Sequence, residues 1–377
     1  MSIIPFSHPY VPTLSLNYIK GALESSTQQG NGQLSKLVEG TIQKLYPEYQ
    51  AFLVPSCTAA LELSLMLLDI VTGDEVIISS YNFPSAATAV TKLGGTPVFC
   101  EIDSLTGCID CDDVEMKVTS RTKAIIWVNY AGLSPNIIKL SEIAKEYNIA
   151  LIEDAAHHFG SRPIQNQIRF SDFVTFSFHA TKNIQCGEGG ALLVKELKYV
   201  ERAFVMREKG TNRRDQMLGK VLKYRWVDKG SSYLLPEICS ALLCSQLDEL
   251  EVILTKRRSL VELYQEELKD ATDFGWDILQ GTEHAGHLFA LIAPNENSRD
   301  SLITQLKLKG ITALSHYEDL SSSPAGLIYG SKGAICHRSV AFSQKIVRFP
   351  LFFTLSESDV ERICLSIYSI LGKTVRI

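Results

Sequence analysis

Between residues 51 and 194, short apolar runs alternate with segments patterned for helices, and this alternation constrains the fold most. The runs lie at 51–54, 75–78, 96–100, 123–128 and 150–153, with helical stretches at 59–68, 85–93, 112–118 and 139–147 between them. Strands that are apolar almost throughout are what a parallel sheet requires when helices cover both of its faces. The predicted class is α/β: a three-layer α/β/α large domain on a mostly parallel sheet, with ligands at the carboxyl ends of the strands. Two further runs, 173–178 and 190–194, bracket a polar hairpin-like turn that carries Lys182. That turn is expected at a sheet edge, where Gly187, Gly189 and Gly190 permit a tight backbone.

Outside this block the pattern changes. Helices are predicted at 14–23 and 34–46, a charged helix at 197–215, and one or two long amphipathic helices over 235–268. The remainder, with strands at 287–293 and 311–314 and helices at 299–308 and 356–371, reads as a smaller α+β domain. At 377 residues the chain exceeds a typical single domain. The expected division is 1–248 and 249–377, with the N-terminal segment packing partly on the smaller unit.

Composition removes several function classes. A net charge of −5 and no basic stripe argue against a nucleic-acid partner. No apolar run reaches the length of a membrane span, and Met-Ser-Ile-Ile-Pro-Phe lacks the features of a signal peptide. Nine scattered cysteines suit a reducing, cytoplasmic setting better than a disulfide framework. Cys108 and Cys111 form a C-x-x-C pair with no second pair at metal spacing, so no metal is expected.

Four features fall at the predicted carboxyl ends of strands. Asp154 ends a buried strand, where a carboxylate needs a partner. Lys182 follows one strand later. A pyridinium nitrogen would pair the acid and a Schiff base would engage the amine, which is what pyridoxal 5'-phosphate (PLP) asks of a protein. Ser56-Cys-Thr-Ala-Ala60 begins a helix whose N–H groups, with the Thr58 hydroxyl, suit a phosphate; Ser177 can add another hydroxyl. Phe83, in Tyr81-Asn-Phe-Pro84, can stack on a flat ring. Taken singly, each has a plainer reading: a helix cap, core packing or a solvated lysine. No G-x-G-x-x-G, P-loop, H-E-x-x-H or G-x-S-x-G motif competes.

Together with Gly73-Asp-Glu-Val76, Asn129-Tyr-Ala-Gly132, Glu153-Asp-Ala-Ala156, Ser177-Phe-His-Ala-Thr-Lys-Asn183, Gly187-Glu-Gly-Gly190, His316-Tyr317 and Arg348-Phe-Pro-Leu-Phe352, these motifs span almost the whole chain. The chain resembles the DegT/DnrJ/EryC1/StrS sugar-nucleotide aminotransferases, PLP enzymes of fold type I. Arg207-Glu-Lys-Gly-Thr-Asn-Arg213 and Gly230-Ser-Ser-Tyr-Leu234 resemble the branch that makes dTDP-4-amino-4,6-dideoxyhexoses from dTDP-4-keto-6-deoxyglucose for O-antigen and related surface polysaccharides.

The resemblance implies roles. Lys182 is the Schiff-base lysine and proton shuttle, and Asp154 holds the pyridinium. Thr58, Ala59 and Ser177 hold the phosphate, and Phe83 stacks on the ring. His157 stands where the family usually has Gln, beside the cofactor's phenolic oxygen; a histidine titrates near neutral pH, so a shifted pH profile is expected. Members are usually homodimers with shared active sites, where the segment around Ser232 reaches the other subunit's phosphate. Lys209, Arg213 and Lys223 are candidates for the nucleotide diphosphate, and Asn183, His316 and Tyr317 for the substrate. Ser321 replaces a histidine that several members carry. L-Glutamate is the expected amino donor. The rival readings are a UDP-linked keto-sugar aminotransferase, a PLP-dependent sugar dehydratase, in which histidine replaces the lysine, and a non-catalytic relative.

Overall fold

The computed structural model describes residues 3–160, 170–281, 285–332 and 335–372. Its main sheet has seven strands: β1 (Gln50–Val54), β2 (Glu75–Ser79), β3 (Thr96–Cys100), β4 (Thr122–Val128), β5 (Ala150–Asp154), β6 (Phe173–Ser177) and β7 (Gly190–Val194). They lie in the order β1-β7-β6-β5-β4-β2-β3. The block from β6 to β3 is parallel, and β7 runs antiparallel to both β6 and β1. The chain is a mixed α/β protein on a mostly parallel sheet, as the alternation predicts. The lysine turn, however, is not at a sheet edge, because β1 pairs along the whole length of β7 and covers it.

Among the described residues the α-helices are α1 (Ser15–Glu24), α2 (Gln33–Leu45), α3 (Cys57–Leu67), α4 (Ser85–Lys92), α5 (Cys111–Lys117), α6 (Ile137–Glu146), α7 (Leu197–Arg207), α8 (Arg213–Met217), α9 (Glu237–Asp248), α10 (Leu250–Glu267), α11 (Glu296–Leu308), α12 (Pro324–Tyr329), α13 (His337–Lys345) and α14 (Glu357–Leu371). The predicted helix 197–215 is two helices, because Lys209 and Gly210 take left-handed φ values of 65° and 71° that stop α7. The stretch 235–268 likewise divides into α9 and α10 at Glu249.

A second, antiparallel sheet has the order β10-β9-β8, made of β8 (Asp277–Ile278), β9 (Ala290–Ile292) and β10 (Ile346–Arg348). The strand expected at 311–314 is absent; Leu314 makes only an isolated bridge to Arg348. The core of this region stacks Tyr264 on Phe289 with centroids 4.6 Å apart. Ile4 is buried in the same core and bridges Ile311.

Apolar residues on both sheet faces are buried throughout β2, β6 and β7. Gly190 lets β7 approach the start of α3: a Cβ there would lie 2.4 Å from the Ser56 carbonyl carbon. Among the described residues no helix is long and apolar enough to cross a membrane, and no His/Cys/Asp/Glu group could hold a metal ion. All nine cysteines are free thiols.

Candidate active site

The ends of β1, β2, β5 and β6 deliver their following turns to one cavity of about 690 Å³. Thr58, Phe83, Asp154, His157, Ser177 and Lys182 line it from the large sheet. His287, Leu314, His316, Tyr317 and Arg348 close it from the smaller one, with Phe6 and Ser7 from the N-terminal segment.

Lys182 stands half-buried at the base, on the turn closed by its own N–H donating to the His179 carbonyl at 2.9 Å. Loss of solvent around the amine lowers its pKa to about 8; Arg348 pushes the same way, while Cys57 and Asp154 oppose. A substantial fraction of this amine is therefore neutral, and so nucleophilic, near pH 8. Asp154 is buried at the end of β5, and burial raises its pKa against the Ala156 N–H, 3.2 Å from Oδ1, and against Lys182. Its side-chain neighbour is the Cys57 thiol, 3.7 Å away. No direct ion pair joins Asp154 to a cation among the described residues, which leaves the carboxylate open to a cationic ring nitrogen.

Helix α3 begins at the far end of the same cavity. Ser56 caps it, accepting the Ala59 N–H at 3.1 Å, and the Thr58 and Ser85 hydroxyls meet at 2.7 Å. Free N–H groups at a helix start, with clustered hydroxyls, favour an anion. An acid, a desolvated lysine and this anion cradle share one cavity. The donor set and the space fit PLP.

Phe83 is exposed at the mouth, 5.9 Å from the Tyr317 ring. His157 is fully enclosed, stacked 4.2 Å from His287. Burial, with Lys182 and Arg348 adding positive field, pushes its pKa well below the usual histidine value. The expectation that it titrates near neutral pH is therefore corrected: His157 stays neutral there.

Other candidates lie elsewhere. Asn183 is buried just behind the turn and its amide is committed to the Ala285 carbonyl at 2.7 Å and His287 at 3.0 Å. It holds the wall rather than facing the cavity. Lys209, Arg213 and Ser232 do not line the cavity of their own chain: Arg213 pairs with Glu208 at 3.0 Å, and Ser232 bridges Glu208. Ser321 donates to Asp319 at 2.7 Å and accepts the Cys336 N–H at 2.9 Å, a structural tie of the loop after Tyr317.

Sequence reasoning missed Arg348, His287 and Cys57 as cavity residues. Arg348 lay inside a quoted motif. It makes no carboxylate pair among the described residues and instead donates to the Ser315 carbonyl at 3.1 Å. His287 carried no local signal, since only the packing of the two sheets brings it to His157.

The DegT/DnrJ/EryC1/StrS aminotransferase family model matches residues 13–368. Among solved structures, the PMP form of Spr1654 from Streptococcus pneumoniae, assigned as a sugar aminotransferase, superposes with a TM-score of 0.90 at 25% identity, covering 99% of this chain and 100% of that one. DesV of S. venezuelae gives 0.88 at 25% identity, with both chains covered completely. PseC of Helicobacter pylori, an aminotransferase of pseudoaminic acid biosynthesis, gives 0.89 at 24% identity, covering 98% of this chain and 100% of that one, a likeness of fold. With its lysine, acid and anion cradle in place on that fold, the chain belongs to the DegT/DnrJ/EryC1/StrS aminotransferase family and is a PLP-dependent aminotransferase.

Proposed function

We propose that this enzyme transfers the amino group of L-glutamate to a nucleotide-linked 4-keto-6-deoxyhexose, dTDP-4-keto-6-deoxy-D-glucose. The product is a dTDP-4-amino-4,6-dideoxyhexose, of galactose or glucose configuration, for surface polysaccharide. The observation that carries the reading is the desolvated Lys182 amine, its pKa lowered to about 8, in one cavity with Asp154. The 25%-identical Spr1654, assigned as a sugar aminotransferase, supports a sugar acceptor, and the branch-like motifs at 207–213 and 230–234 support the 4-keto-6-deoxyhexose.

Asp154 would hold the protonated ring nitrogen, Thr58, Ala59 and Ser177 the phosphate and Phe83 the ring face, while both ring nitrogens of His157 are engaged, by the Ala131 N–H and the Tyr317 hydroxyl, and leave none for the ring oxygen. PLP, when bound, supplies an electron sink for charge that develops on carbon next to nitrogen. Lys182 Nζ takes the proton from the donor's α-carbon and returns it on the cofactor side, first base and then acid. It reverses these roles for the keto sugar. Arg348 faces the cavity with no carboxylate partner among the described residues, placed to meet a carboxylate of the donor or a phosphate of the sugar nucleotide. Asn183 serves the site from behind by holding His287.

The same reading makes the protein a homodimer. Residues 211–227 fold back on themselves, with Asn212 accepting on its carboxamide the Arg225 N–H at 2.7 Å, and present Met217, Leu222 and Trp226 to solvent. Leu222 is fully exposed and Trp226 80% exposed. An apolar arm of that kind fits a subunit contact, with Lys209, Arg213, Lys223 and Ser232 of one chain serving the other's site.

The test is incubation with dTDP-4-keto-6-deoxyglucose and glutamate, then NMR of the product. The H4 couplings assign the epimer. Turnover of a UDP-linked keto sugar but not the dTDP compound would overturn the nucleotide assignment. Separately, Lys182→Ala is expected to lose the visible absorbance of the bound cofactor; an unchanged band would remove Lys182 from its role.

A further inference from the structure

Buried groups behind the cavity decide which way its hydrogen bonds run. The turn Tyr130–Gly132 holds Ala131 at φ 57° and ψ 10°, a left-handed conformation uncommon for alanine. That bend directs the Ala131 N–H to Nδ1 of His157, 3.4 Å away. A backbone N–H only donates, so Nδ1 carries the lone pair and the neutral ring keeps its proton on Nε2. Nε2 lies 2.9 Å from the Tyr317 hydroxyl and donates to it. The Tyr317 oxygen accepts that bond, and its own proton is left to serve the cavity it lines.

A second chain runs beside the first. Tyr81 is fully buried, and among the described residues its hydroxyl meets only that of Tyr130, at 3.2 Å. The Tyr130 hydroxyl lies 2.7 Å from Nδ1 of His316. If His316 donated from Nδ1, either Tyr130 would donate to Tyr81 or Tyr81 to Tyr130, and in both cases one of the two tyrosine protons would be buried without an acceptor, a costly arrangement. The opposite direction satisfies every group: Tyr81 donates to Tyr130, and Tyr130 to His316. The His316 proton then sits on Nε2. The His157 and His316 rings lie within 16° of parallel, 5.8 Å apart.

We propose that this wall of the cavity presents two hydrogen-bond donors, the Tyr317 O–H and His316 Nε2–H, and that it binds the carbonyl oxygen of the keto acceptor beside Lys182. Ala131 and Tyr81 set that polarity from behind, and His157 is a positioning residue that orients Tyr317. That the carbonyl belongs to a keto sugar rests on the function proposed above; the direction of the hydrogen bonds does not.

NMR of the apoenzyme labelled with ¹⁵N-histidine reads the tautomers without turnover. His157 and His316 are expected as Nε2–H, and an Nδ1–H tautomer at either would overturn the proposal. Glutamine can reproduce the His157 pattern, its carbonyl accepting from Ala131 and its amide donating to Tyr317. His157→Gln is therefore expected to keep kcat/KM within about threefold, and His157→Leu to lose about tenfold. Equal rates for the two variants would remove the positioning role. Tyr317→Phe, checked for folding by its NMR spectrum, is assayed in the pyridoxamine phosphate form with two ketones, 2-oxoglutarate and dTDP-4-keto-6-deoxyglucose. A loss of about 10²-fold is expected; wild-type rates with both ketones would overturn the donor wall. A loss with 2-oxoglutarate, while the wild type ignores the sugar, supports the wall and strikes the sugar reading alone.

Discussion

Glu153 and Asp154 are adjacent on β5, so their side chains leave opposite faces of the sheet. Asp154 enters the cavity. Glu153 is fully buried behind it, and burial, reinforced by Asp154, pushes its pKa up to about 8. Its carboxyl accepts from the Ser171 hydroxyl at 3.4 Å. The folded protein keeps a proton here that the unfolded chain releases above its ordinary value of 4.5. Stability from this group is therefore present below pH 4.5 and is lost as pH rises toward 8. Glu153→Gln mimics the protonated acid and is expected to stabilise the apoenzyme by on the order of 2 kcal/mol at pH 8 and little at pH 5, read by thermal melting at both. At Lys182 the shift is downward, to about 8. The neutral fraction of its amine, and with it the rate of PLP uptake, is expected to rise about tenfold from pH 7 to pH 9. A rate still climbing steeply above pH 9 would place the amine nearer an ordinary lysine. Lys182 and Asp154 were legible in the sequence because strand ends announce themselves by pattern. The state of His157 was not, because burial and the field of Lys182 and Arg348 are set by residues distant in the chain.

At the scale of elements, the start of α2 depends on a carboxylate from α9. Glu237 is buried and accepts the N–H groups of Gly32 at 3.0 Å, Leu34 at 2.9 Å and Ser35 at 3.1 Å, together with the Ser35 hydroxyl. It serves as an N-cap supplied from two hundred residues away, where the local Gly32 has no side chain to offer. Glu237→Ala is expected to cost about 3 kcal/mol, measured by denaturant unfolding, and Glu237→Gln to recover part of it. Long helices and central strands were readable from periodicity. The two-residue β8, the three-residue β10 and the short helix α12 were not, because each is shorter than a clear repeat and exists through contacts. The same holds for the stop at Lys209 and Gly210, where a left-handed pair outweighs a pattern that continues into α8.

For the whole molecule, the arm at 211–227 carries the assembly argument. Leu222→Asp with Trp226→Asp is expected to yield monomers by sedimentation and to lower activity about tenfold or more, without changing melting of the isolated chain by more than about 1 kcal/mol. A dimer that survives both substitutions would place the contact elsewhere. The sheet itself has a further consequence. β1 and β7 pair so that Val54 faces Gly190. The anion-cradling turn leaves β1 directly after Val54, and the lysine turn enters β7 directly before Gly190. β7 also pairs Gly190 with Ser177, from which the chain departs toward Lys182. Three site segments thus hang from one row of the ladder. A slip of one residue in β7 would displace its entire buried set to the other face and, in the same movement, misplace both turns. Catalytic competence and correct strand alignment are then one quality-control decision: a chain that has mispaired β7 is inactive outright rather than partly impaired.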